Sequence, residues 1–471
     1  MRTHRLALTL GLSLGVLLFA SESTPSAVVG PTTQVAKLPT APDKAPVAAP
    51  AKAEAKAAPK GEGKQLAQLT PVSGDLSAAD MIALAYEYAW NEDYDAERAW
   101  LEAAATKPAS TDTARAAVLL AEARGYSGDT SGAQTLLDQV RSRRQDAEVS
   151  AFADLVQALV QKEPSWCGHG QRFYSGKEAC LALYADAAQK WKGTYLGGWA
   201  SIRLAATYRS RFAQPEQAIT VLEQISKDYA GTPFSEYALE DAAAAVTFSL
   251  NRFGEGRQRY EQLLATTGSD FIRQRATLHL GELLMDTNHG DGAYEALAKF
   301  ISTWPWHADT VGVYALRGSV AAQLNRYDEA VADATRYLSV TAPKLTSYTG
   351  RAHFTLGQAA FARGDLTRAE GEFAQVDDEV LAGQARASLG HVRARRGDLG
   401  GALSAFLEAA TAVKGRPCEP LYLYQAGLTA RRIGDQATLD QLVQVMIAEF
   451  PYSHFATLLT GRNVAPPLPA F

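Results

Sequence analysis

A chain of 471 residues, 47% hydrophobic and 21% charged, has the balance of a soluble globular protein, with length for a large core or several domains. Its net charge of -5 gives no cationic field for phosphate backbones, and no Lys/Arg cluster is interleaved with aromatics, which speaks against a nucleic-acid partner.

Residues 1–23 read as a signal peptide. Arg2 and Arg5 precede "LALTLGLSLGVLLFA", Leu6 to Ala20, an uncharged apolar run of fifteen residues that is shorter than the ~20 needed to span a bilayer. Ala20, Ser21 and Ser23 offer small residues for cleavage, Ala20 first among them; an uncleaved inner-membrane anchor is the alternative. No cysteine precedes Cys167, so no lipid anchor is expected. Residues 24–76 follow as a linker. Its centre, "KLPTAPDKAPVAAPAKAEAKAAPKGEGK" from Lys37 to Lys64, is built of Ala, Pro and Lys without an aromatic. Such a stretch cannot bury enough surface to repay its ordering entropy and reads as a disordered, extended spacer.

From Ser77 the sequence becomes rich in Ala and Leu with helical period. "ARGDLTRAEGEF" at Ala362 returns 33 residues later as "RRGDLGGALSAF" at Arg395. The recurring pattern is a small residue, a turn residue seven positions on, an Ala five further, and a bulky residue four further. Gly357, Gly364, Ala369 and Phe373 obey it, as do Gly390, Gly397, Ala402 and Phe406. Gly318, Asn325, Ala330 and Ala334 give a third copy, and Gly281, Asn288, Ala293 and Leu297 a fourth. Looser copies run through Ala244, Asn251, Gly256 and Tyr260, through Ala121, Gly128, Ala133 and Leu137, and through Gly427, Gly434, Leu439 and Val443. Small residues let two antiparallel helices approach closely, and Gly or Asn between them supplies the positive φ that ends a helix.

This pattern resembles the tetratricopeptide repeat, a 34-residue helix-turn-helix unit. The resemblance implies an all-α fold, a solenoid of stacked antiparallel helix pairs in a right-handed superhelix, over residues 77–462. An irregular insertion covers about 163–195, and residues 463–471 form a tail. The junctions "DYAGTPFSEYA" at Asp228, "TWPWHADT" at Thr303 and "EFPYSHFA" at Glu449 place an aromatic at a helix end and a polar cap before the next helix. They are similar to junctions in envelope members of the family, the BamD-type assembly proteins and the Tol-associated coordinators. "FPYSHFATLLTGR" also resembles the helical part of soluble lytic transglycosylases, but only "NVAPPLPAF" follows it here, so no catalytic domain comes with the resemblance.

Other chemical motifs fail on spacing. "GQRFYSGKE", Gly170 to Glu178, has one residue too many between its glycines for a phosphate loop, and Glu178 where a magnesium-binding hydroxyl is needed. Arg363-Gly364-Asp365 and Arg396-Gly397-Asp398 are inter-helix turns rather than adhesion signals. Cys167, His169 and Cys180 lack a fourth ligand for zinc. In an oxidising compartment a disulfide between Cys167 and Cys180 is expected, leaving Cys418 as a lone thiol. His353 falls where the repeat places a packing aromatic. No cofactor, metal or catalytic residue is called for.

The family lines its concave face with fixed positions of each first helix. Carried over, these select Arg351, Phe354, Gln358 and Phe361, then Gln384, His391 and Arg395, then Tyr424, Arg431 and Arg432. Earlier repeats contribute Asp241, Phe248, Arg275, Glu282 and Asp286. The expectation is a non-enzymatic scaffold in the periplasm of a Gram-negative bacterium. It would hold a protein or an acidic peptide segment in a basic, aromatic groove during envelope assembly or maintenance. Two other readings stay open: an accessory relative of cell-wall lytic enzymes acting near peptidoglycan, and a structural spacer in an envelope motility or secretion complex.

Overall fold

Each of the seven turn residues in the repeat series adopts a positive φ. Gly128, Gly364, Gly397 and Gly434 lie at 95°, 79°, 85° and 76°, and Asn251, Asn288 and Asn325 at 58°, 60° and 60°. Gly and Asn tolerate this left-handed conformation, and a helix that meets it stops. In the Gly-Asp turns the next residue starts the following helix: Asp365 accepts a hydrogen bond from Arg368 N at 3.0 Å and Asp398 from Gly401 N at 2.8 Å. Gly ends one helix and Asp caps the next, which is why the phrase recurs.

The computed structural model describes residues 76–461, apart from 91–92, 144–145, 162–177, 211, 306, 308, 341–347 and 379. The signal peptide, all but the last residue of the linker, Cys167, the first half of the insertion and the tail lie outside the described residues. Among the described residues there are helices and no strand, and none of the helices is long and apolar enough to cross a membrane.

The helices fall into two compact units, divided between Val376 and Asp377. The first consists mostly of antiparallel pairs: α1 Ala78–Trp90 with α2 Tyr94–Ala105 and α3 Thr111–Ser127 with α4 Thr130–Ser142, followed by α5 Ala147–Gln161, which packs on α3 and α4, and α6 Glu178–Lys190, which packs chiefly on α7. Then come α7 Tyr195–Ser210 with α8 Pro215–Asp228, α9 Pro233–Ala244 with α10 Phe253–Thr266, and α11 Asp270–Asp286 with α12 Gly290–Thr303. The last two pairs are α13 Thr310–Gln323 with α14 Tyr327–Ser339 and α15 Thr349–Ala362 with α16 Leu366–Ala374. The second unit holds α17 Ala382–Arg395 with α18 Leu399–Ala412, α19 Glu419–Ile433 with α20 Gln436–Glu449, and the short closing helix α21 His454–Thr460. Each unit is a tetratricopeptide-repeat-like solenoid segment, the all-α architecture that the repeat spacing implies.

Within a pair, the small residue of the first helix meets the bulky residue of the second. A Cβ on Gly357 would lie 2.7 Å from the Phe373 ring, one on Gly390 2.7 Å from Phe406, and one on Gly281 2.9 Å from Leu297. The alanines five positions after the turn, Ala133, Ala293, Ala330, Ala369 and Ala402, are fully buried. In the looser copy α9 runs on into a single π turn, Ala245–Ser249, where Thr247 presses against Gly256.

The copy in the α7–α8 pair escaped the sequence reading. Ala206, Ala213, Ala218 and Leu222 keep the same spacing in the α7–α8 pair, and Ala213 holds a φ of 51°. It was hidden because Ala stands where the other turns use Gly or Asn, and a positive φ is costly for Ala, which lacks the local side-chain hydrogen bond that helps Asn adopt it. The insertion expected at about 163–195 departs from the spacing for a different reason: sixteen residues separate α5 from α6.

The repeat contact yields a pair of opposite expectations for one helix pair. Gly357→Ala should lower stability by about 1–3 kcal/mol, because the new methyl enters the Phe373 ring. Gly371, exposed within α16, has nothing within 4 Å of its missing Cβ. Gly371→Ala should raise stability by about 0.5–1 kcal/mol through backbone entropy. Urea unfolding of the two variants beside the parent measures both signs.

Candidate functional site

The predicted groove residues divide between the two units. In the first, Arg351 is only 5% exposed and Phe354 only 2%, the Phe354 ring lying 5.5 Å from Phe373; Gln358 and Phe361 are half-buried. In the second, Gln384 and Tyr424 are buried, His391 is half-buried, and Arg395, Arg431 and Arg432 are exposed. His391 packs on Phe406 at 5.0 Å and shares a 3.2 Å hydrogen bond with Gln425; burial lowers its pKa to about 4, so it is neutral near pH 7. Tyr424 packs on Phe455 at 5.6 Å.

The expectation that these side chains project to solvent therefore fails at Arg351, Phe354, Gln384 and Tyr424. At Phe354 and Tyr424 the cause is visible: the helix face carried over from the family turns toward a neighbouring helix, α16 in one case and α21 in the other. The same holds earlier in the chain, where Asp241 is buried in an ion pair with Arg209. His353 joins Glu372 across 2.9 Å, a link between α15 and α16. Cys180 is buried and disulfide-bonded, and Cys418 carries a free thiol.

The inner faces of the first unit instead gather charges and aromatics from distant repeats. Tyr86 on α1 lies 4.6 Å from Tyr237 on α9, ring to ring. Arg203 on α7 reaches Glu122 on α3 at 3.3 Å and stacks 5.1 Å from the Trp199 ring, while Tyr126 donates to Glu122 at 3.0 Å. Further on, Glu240 on α9 holds two groups of α11, His279 at 2.7 Å and Arg275 at 3.2 Å. Burial works against the Glu240 charge, but Arg275 and His279 outweigh it and hold the carboxyl well below its ordinary pKa. These contacts tie together first helices that are far apart in sequence.

One member is out of place chemically. Counting from Ala85, the repeat spacing puts Glu97 in the slot that holds a buried Ala in the regular copies, with Leu101 four residues on. Glu97 is 8% exposed and Leu101 2%. Burial raises the Glu97 pKa to about 8, with repulsion from Glu122 adding to it and Arg203 and Arg98 working against it. Burial raises Glu122 as well, against Arg203 and Tyr126. Burial and the neighbouring Glu122 thus outweigh Arg203 and Arg98, and Glu97 binds a proton near pH 7. The sequence analysis does not reach this cluster; extending the repeat spacing one copy further toward the N-terminus, from Ala85, singles out Glu97.

Among the described residues no group of three or more His, Cys, Asp or Glu side chains is arranged to hold a metal ion. What the buried clusters do chemically is pair charge and store a proton.

No family model matches the sequence, and no curated protein matches it. Among solved structures, PilW, described as a widely conserved type IV pilus biogenesis factor, matches 48% of this chain and 98% of its own, with 20% identity and a TM-score of 0.40. A tetratricopeptide repeat protein from Parabacteroides merdae matches 56% of this chain and 97% of its own, with 12% identity and a TM-score of 0.43. The human IFIT1 dimer with m7Gppp-AAAA matches 82% and 90%, with 15% identity and a TM-score of 0.45. Similarity at this level decides nothing about partners.

The proton held by the Glu97 cluster has a measurable consequence. A carboxyl whose pKa is about 8 when folded, against 4.5 when free, binds more protons folded than unfolded. Its contribution is therefore fully present below pH 4.5 and is lost as pH rises toward 8. Glu97→Gln removes that dependence at about 1.4 kcal/mol per pKa unit. The variant should gain on the parent between pH 5 and pH 9, which parallel urea titrations at the two pH values will show; an equal difference at both means that Glu97 is charged when folded.

Proposed function

We propose that this chain is a non-catalytic protein-binding scaffold of the bacterial cell envelope, exported to the periplasm. The observation that carries the reading is how its reactive side chains are used. Glu122 with Arg203, Glu240 with Arg275 and His279, and His353 with Glu372 join helices to one another, a structural use of groups that could otherwise serve chemistry. Charged and apolar side chains are left exposed at the helix ends of the second unit, among them Arg395, Arg396, Arg431, Arg432 and Ile433. A stack of helix pairs offers such surfaces to extended partners.

Export is supported by the apolar run from Leu6 to Ala20 behind Arg2 and Arg5, and by the disulfide bond at Cys180, which suits an oxidising compartment. Cys167 is its expected partner. The linker of residues 24–76 would separate the helical part from whatever receives the N-terminus.

The full-length protein, crosslinked in its native envelope and captured, is expected to enrich a discrete protein that binds again when both are purified. It should contain one titratable thiol under denaturing, non-reducing conditions. Recovery with no protein above an unrelated exported control, or with three free thiols, would refute the reading.

A further inference from the structure

The first unit is closed by a contact between helices far apart in its sequence. The Tyr86 ring on α1 meets the Tyr237 ring on α9 at 4.6 Å, and Tyr237 in turn packs edge-on against Phe271 of α11 at 5.9 Å. α1 also packs through Met81, Ile82 and Ala85 into an apolar cluster with Trp100 and Leu101 of α2 and Leu120 of α3. It therefore has two attachments: an apolar one to its neighbours in the chain, and an aromatic one across the inner face to α9.

The charges at the second attachment are unlike those elsewhere on the inner face. Glu122 with Arg203 and Glu240 with Arg275 set an acid against a cation. Glu87, half-buried and next in sequence to Tyr86, has another acid, Asp270 at the start of α11, as the charge acting on it. Burial raises the Glu87 pKa to about 7, with Asp270 adding to it. Asp270 is itself held by Arg273 at 3.1 Å and by Trp304 Nε1 at 2.9 Å. On α9, Glu236 acts together with Glu87 on Tyr237, its carboxyl accepting from Thr267 Oγ1 at 3.0 Å and from Gly268 N at 3.1 Å. On α1 itself, Tyr88 lies in the field of both Glu87 and Asp93.

We propose that α1 is a clasp on the inner face of the first unit: it closes on α9 and α11 through Tyr86 while Glu87 is neutral, and lets go when Glu87 ionises opposite Asp270. This goes beyond the scaffold reading and does not depend on any partner. Release leaves α1 and α2 seated on α3 by the apolar cluster, so the unit widens without unfolding. It uncovers the inner face around Tyr86, where Arg203, Asp241, Tyr195 and Arg275 converge. A carboxyl that holds its proton more strongly in the closed form supports closure fully below its free pKa of 4.5, and withdraws that support as pH rises through about 7.

The test measures the distance between α1 and α9 in the full chain, by pulsed electron paramagnetic resonance between spin labels at Ala79→Cys and Leu239→Cys, both exposed positions, in a Cys418→Ser background with the disulfide intact. Raising the pH from 5 to 9 should move the main distance peak to longer values, with a midpoint near pH 7. Glu87→Gln should hold the short distance at pH 9. Tyr86→Ala should give the long distance already at pH 5, whereas Tyr86→Phe should behave as the parent. Circular dichroism melts identify any variant that has lost its fold, and Glu87→Gln decides alone if Tyr86→Ala has. An equal distance at pH 5 and pH 9, a pH response that persists in Glu87→Gln, or a short distance in folded Tyr86→Ala would overturn the proposal. A response removed by Glu97→Gln and kept in Glu87→Gln would place the sensor between α2 and α3 and overturn it equally.

Discussion

The structure depends on helix contacts too close for an ordinary side chain. At Gly281, Gly357 and Gly390 an added Cβ would fall within 3 Å of Leu297, Phe373 and Phe406. That approach seats a ring or a leucine directly on a backbone, where dispersion contacts are dense and water is excluded. It also fixes the rest of the repeat. The turn must reverse the chain in very few residues, hence the positive φ at Gly or Asn. The second helix must begin at once, hence the Asp cap. A third small residue must face back, hence the buried alanines.

This economy explains which features the sequence displayed. Small residues at fixed offsets are visible in one dimension, because each is required by a local contact and few others fit. The all-α repeat and most of its turns could be read from them, down to Asn325 and Gly397. Ala213 was not, since its turn keeps the spacing but changes the residue. The direction in which a long side chain leaves its helix is decided by neighbours that the spacing does not name. Phe354 and Tyr424 were assigned to a solvent-facing groove and turn instead onto Phe373 and Phe455. Arg395, Arg431 and Arg432 are exposed as expected, because at a helix end no further turn is present to cover them.

The buried charges follow the same logic at longer range. Once the first helices of several repeats converge, the polar groups on their inner faces must find partners or give up their charge. Glu122 and Glu240 find arginines. Glu97, on the second helix of the first pair and in a position that holds alanine in the regular copies, takes a proton instead. The result is that charged side chains on the inner faces join one helix to another.

Hydrogen–deuterium exchange on the full chain, resolved by mass spectrometry, measures the governing contact most directly. The amides of Asp270–Asp286, Thr349–Ala362 and Ala382–Arg395, which carry Gly281, Gly357 and Gly390 at their close contacts, are expected to be among the slowest to exchange, with the turns at Gly364 and Gly397 opening well before them. Exchange from these three helices as fast as from the turns would show that the small-residue contacts do not hold the repeats together.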